Sequence, residues 1–153
     1  MIMLLSLAVL TTFTTAFKKP GNAVRAKWNA YVVKLSNQEA EVHITAQIPG
    51  GWYMYSQSMA GIDGPLATTI EFDPSPTFEL VGTPKESGNM KRFFEPAFDL
   101  EVNCLQNQAH YIQRIKHNQP DPFSIKVMVS YMLSRNGEIL PPDDDDFVIT
   151  VTP

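Results

Sequence analysis

From Phe123 to Leu133 every second residue is apolar: Phe123, Ile125, Val127, Val129, Tyr131 and Leu133 alternate with Ser124, Lys126, Met128, Ser130 and Met132. Successive side chains on a strand point to opposite faces, so a period of two buries one face and wets the other, which no helix can do. The same period recurs along the chain. Ala26, Trp28, Ala30 and Val32 alternate with Arg25, Lys27, Asn29 and Tyr31, and Val42, Ile44, Ala46 and Ile48 with Glu41, His43, Thr45 and Gln47. Phe98, Leu100, Val102 and Cys104 repeat it, as do Phe147, Ile149 and Val151 at the end. Short strands are expected from Thr68 to Phe72 and from Thr77 to Gly82, and another from Ala109 to Lys116. Twelve prolines and eight glycines, scattered rather than clustered, suit strands and turns and interrupt long helices. The pattern predicts an all-β protein, an antiparallel sandwich of about nine short strands.

At 153 residues the chain is sized for one domain with a real core. Residues 1–16, MIMLLSLAVLTTFTTA, are uncharged, Leu-rich and end in small residues, the pattern of a secretory signal peptide. Residues 17–23 then read as a linker and 24–153 as the domain. No later stretch has the ~20 apolar residues of a membrane helix, so the mature chain is expected to be exported, periplasmic or beyond, with no membrane span. A net charge of −4 excludes the concentrated basic face of a nucleic-acid binder. Cys104 stands alone, which rules out an intrachain disulfide and any dithiol chemistry within the chain.

Few residues offer chemistry. Cys104 sits on the apolar face of its alternating run, where a free thiol behaves as a small hydrophobe; the other reading is a mixed disulfide with a partner. The run Asp143–Asp146 lacks the glycine-bearing loop of a calcium site and reads as a solvated acidic edge that discourages strand pairing. His43, His110 and His117 are dispersed, with His43 and His110 at outward positions, and no metal or cofactor is expected. Ser134 has no nucleophile-elbow pattern around it. Phe93 and Phe94 precede Pro96; as neighbours on a strand they must face opposite ways, leaving one of them exposed or covering something.

In their order, the segments KWNAYVVKLSNQEAEVHITAQIPGGWYMYSQ, GPLATTIEF, FELVG, KRFFEPAFDLEV and VMVSYMLSRNGEILPPDDDDFVI resemble the N-terminal, periplasmic domain of the thiol:disulfide interchange protein DsbD family, over about residues 24–152. The resemblance implies an immunoglobulin-like β-sandwich that takes electrons from a transmembrane domain and hands them to exported thioredoxin-like partners. Its intact members use two cysteines flanking the turn before Leu-Pro-Pro, beneath a cap loop with a shielding aromatic. Here the cysteine positions fall on Ser134 and Ile139, and the cap aromatics on Phe93 and Phe94. Neither a hydroxyl nor a hydrocarbon can form a reducible bond with sulfur, so fold and compartment carry over and the redox activity does not. The chain is therefore expected to be a protein-binding or accessory module with an exported protein partner, for which the resemblance implies a thioredoxin-like one. Phe93, Phe94, Tyr55, Tyr131 and Ile139 are the candidate recognition surface, with core packing as their other reading. The remaining alternatives are a thiol-exchange accessory acting through Cys104 and a structural, envelope-associated domain.

Overall fold

The computed structural model describes residues 23–153; the expected signal peptide and most of the linker lie outside them. Ten strands follow in order: β1 Lys27–Lys34, β2 Glu39–Gln47, β3 Tyr53–Tyr55, β4 Thr69–Phe72, β5 Glu79–Glu95, β6 Leu100–Lys116, β7 Phe123–Tyr131, β8 Leu133–Arg135, β9 Glu138–Ile139 and β10 Asp143–Val151. The one helical element among the described residues is a 3-10 turn, Gln57–Met59. The strands form two sheets in which paired neighbours run antiparallel. The larger runs β1-β2-β6-β3-β8-β9 with β5 on the free side of β6; the smaller runs β10-β7-β4.

The alternating runs supply the layer between the sheets. Val42, Ile44 and Ala46 of β2, Ile125, Val127 and Val129 of β7, and Tyr111 and Ile115 of β6 are all buried there. Each such side chain contributes roughly 1.5–3 kcal/mol by leaving water, which fixes the register, since a slip of one residue would turn every one of them outward. A smaller cluster of Tyr55, Met59, Ala67, Val102 and Cys104 fills the end of the larger sheet, with Tyr53, Phe93 and Phe98 packed against it.

Three expectations are corrected. Leu100–Cys104 and Ala109–Lys116 belong to a single strand, β6, and Phe98 lies in the turn before it. Its buried positions change from Val102 and Cys104, in the smaller cluster, to Leu105, Ala109, Tyr111, Gln113 and Ile115 on the opposite face, so one strand reads as two runs of opposite parity. The short strand expected over Thr77–Gly82 does not end at Gly82 but runs on to Glu95 as β5, an edge strand whose irregular register hides its period. The run Phe123–Leu133 is two strands: β7 lies in the smaller sheet, and past Met132 the chain crosses to the larger one as β8.

Candidate functional site

Strands β8 and β9 form a tight hairpin around Asn136-Gly137, whose φ values of 47° and 83° are those of a type I′ turn. That turn needs positive φ at both positions, which Asn tolerates and Gly takes without strain. Arg135 pairs with Glu138 across the turn at 3.0 Å, and its guanidinium lies 4.4 Å above the Trp52 ring. One step further from the turn Ser134 stands opposite Ile139, and beyond them Leu140 N donates to Leu133 O at 3.0 Å. Ser134 and Ile139 are therefore the non-hydrogen-bonded pair, the arrangement that brings Cα atoms to about 4.5 Å, inside the range a disulfide spans. The frame for a cross-strand disulfide is present and its sulfurs are not.

Ser134 is buried, with its hydroxyl beside the Tyr55 phenol. Tyr53 is its neighbour across the β3–β8 ladder. The wholly buried Tyr55 phenol donates to Glu95 Oε2 at 3.3 Å, and Glu95 is itself buried. Burial raises the Tyr55 pKa far above that of a free phenol, the nearby Ser134 hydroxyl draws it down and the Glu95 carboxylate raises it again. The phenol is neutral throughout the ordinary range. A nucleophilic Ser134 would need a base, and no histidine lines the neighbouring cleft.

That cleft, of about 420 Å³, is lined by Tyr53, Phe93, Phe94, Glu95, Pro96, Asn136 and Gly137. It joins the end of β5 to the β8–β9 turn. Phe93 turns inward onto Tyr53, with ring centroids 5.1 Å apart, while Phe94 is 54% exposed. The two face opposite ways, as adjacent strand residues must, and they lie on the last turnward residues of β5 rather than in a loop. The structure thus gathers Phe93, Phe94 and the Ser134–Ile139 hairpin at one place. It leaves Tyr55 and Tyr131 out of any recognition surface: both are buried, Tyr131 against Trp28 in the main core. The alternation of the Phe123–Leu133 run had already placed Tyr131 on the apolar face. Glu95, Asn136 and Gly137 were missed as site residues because a carboxylate before Pro and an Asn-Gly pair read simply as turn formers.

Cys104 is wholly buried opposite Tyr55, and its thiol is pushed up to about 12 by burial first and then by the Glu95 and Glu86 carboxylates. It is a thiol, not a thiolate. The acid run is corrected: Asp143–Asp146 opens β10 and pairs with β7 from Tyr131 to Met128. Asp143 is buried, and Arg25 grips Asp143 at 2.8 Å, Asp145 at 3.2 Å and the Asp144 carbonyl at 2.9 Å. Two of the four acids fold inward to a guanidinium that sequence distance concealed. His43 and His110, dispersed in sequence, are also brought together, at 3.0 Å.

The sequence model of the family described as thiol:disulfide interchange protein DsbD, N-terminal, matches residues 22–144. Among solved structures, the reduced N-terminal domain of DsbD from Neisseria meningitidis is 18% identical, with 81% of this chain and 86% of that one covered and a TM-score of 0.50. The N-terminal periplasmic domain of ScsB from Proteus mirabilis is 14% identical, with 89% and 49% covered and a TM-score of 0.56. At these identities the likeness is one of fold, the immunoglobulin-like sandwich expected from the sequence. No curated protein matches the chain.

Proposed function

The chain belongs to the family of DsbD N-terminal domains, and from that premise we propose that it is an exported protein-binding module that engages a thioredoxin-like partner without exchanging electrons. The observation that carries this reading is the cleft itself: an exposed Phe94 and a half-buried Phe93 beside the hairpin whose facing positions are Ser134 and Ile139. A large aromatic left open to water at the rim of a preformed cleft is a common anchor of protein recognition. The hairpin beneath it has no sulfur, so contact there can bind but cannot form a mixed disulfide. Export is supported by the leader-like residues 1–16 and by the periplasmic origin of the ScsB neighbour. No helix among the described residues is long and apolar enough to cross a membrane.

Titration of the protein with an exported thioredoxin-like domain, all thiols blocked, tests the reading. Binding is expected, and Phe94→Ala is expected to weaken it tenfold or more with the melting temperature unchanged. Undetectable binding, or binding indifferent to Phe94, would overturn it.

A further inference from the structure

The outer face of the larger sheet carries a row of three rings on three neighbouring strands: Tyr31 of β1, His43 of β2 and His110 of β6. The ladder aligns Thr45 with His110 and His43 with Ile112, which sets the two histidines diagonally across from each other. Tyr31 stacks on His43 with centroids 4.9 Å apart and planes at 18°. His43 Nδ1 lies 3.0 Å from His110 Nε2, and His43 Nε2 lies 3.1 Å from Glu41 Oε2.

An ionised carboxylate only accepts, so the hydrogen on a neutral His43 belongs on Nε2, and its Nδ1 presents a lone pair toward His110. Two imidazole nitrogens bound to one first-row ion, at bonds of about 2.0–2.1 Å and ordinary coordination angles, stand about 2.9–3.4 Å apart. The observed spacing falls in that range. A carboxylate on the far nitrogen of a ligating histidine is the arrangement that fixes its tautomer and raises its basicity. We propose that His43 Nδ1 and His110 Nε2 form a two-imidazole site for a divalent first-row cation from the copper–zinc end of the series, with Glu41 as the positioning residue behind His43.

The cation takes the place of the hydrogen shared between the rings, and His110 keeps its proton by carrying it on Nδ1. Imidazole donors select this end of the series over calcium and magnesium. No group of three or more His, Cys, Asp or Glu is set around one point among the described residues, so water or another molecule supplies the remaining positions. A depression of about 360 Å³ beside His110, lined by Tyr31, Thr45, Ser87 and Asn89 among others, leaves room for them.

The test is calorimetric titration of the untagged full-length chain with Zn²⁺, which is redox-silent. One ion per chain is expected at the pair; His43→Gln and His110→Gln should each weaken it tenfold or more, and Glu41→Gln by about tenfold. In the wild type, the ring C–H resonances of both histidines should move together as the ion is added. Melting temperatures of the variants check that the sheet is intact. Heat no greater than that of the His43→Gln/His110→Gln double variant would overturn the proposal. So would stoichiometric binding that survives in that double variant, which would put the ion elsewhere.

Discussion

Ser134 and Ile139 occupy the two facing positions of the β8–β9 hairpin at which cysteines could bond without backbone movement. In the Ser134→Cys/Ile139→Cys variant, mild oxidation should therefore remove two of three titratable thiols from the denatured protein; three remaining thiols would refute the geometry. Cys104 makes the opposite prediction. With its pKa near 12 instead of 9.0, its thiolate fraction at pH 8.5 is roughly a thousandfold lower than that of an unperturbed thiol. Iodoacetamide should label it very slowly in the native protein and rapidly after unfolding. The linkage runs the same way: a raised acid binds its proton more tightly in the fold, so its contribution to stability is complete below pH 9 and is lost as pH climbs toward 12. Arg25 is the third case. Its loss in Arg25→Ala leaves the buried Asp143 carboxylate without its guanidinium, and because Arg25 is about a third exposed the cost should be a modest ~1–2 kcal/mol, read from urea unfolding.

Strands that alternate without interruption, β1, β2, β7 and the core half of β10, were legible in the sequence because burial of one face demands that pattern. What escaped were places where backbone geometry breaks it. Along β6 the buried face changes between Cys104 and Leu105, the crossing at Met132 divides one apolar run between two sheets, and β5 is an edge strand with little to bury. The cleft was half legible: Phe93 and Phe94 announced themselves by adjacency before Pro96, but their union with Asn136 and Gly137 depends on tertiary contact alone. Gly88 marks another such junction. It takes φ 150°, and a Cβ there would come within 2.6 Å of the Gln108 carbonyl and 2.9 Å of Leu105. Gly88→Ala should destabilise the β5–β6 ladder by about 1–3 kcal/mol, whereas Gly50→Ala, which meets nothing within 4 Å, should change the unfolding free energy by less than ~0.5 kcal/mol, both read from urea unfolding.

Taken whole, the molecule keeps the sandwich of its family, while the two positions that face each other in the β8–β9 hairpin hold a hydroxyl and a hydrocarbon. Its one thiol, Cys104, is wholly buried in the smaller cluster opposite Tyr55. Binding, which the cleft can support, is therefore separate from electron transfer, which needs a reducible sulfur pair. The most direct measurement incubates an oxidised exported thioredoxin-like domain with the native protein or with reduced Ser134→Cys/Ile139→Cys and follows alkylation of that domain's own cysteines, since exchange leaves the total of free thiols unchanged. With the native chain that domain should stay oxidised, and with the variant its cysteines should become alkylatable as the variant's own pair is lost; reduction of the domain by the native chain at a comparable rate would contradict the reading.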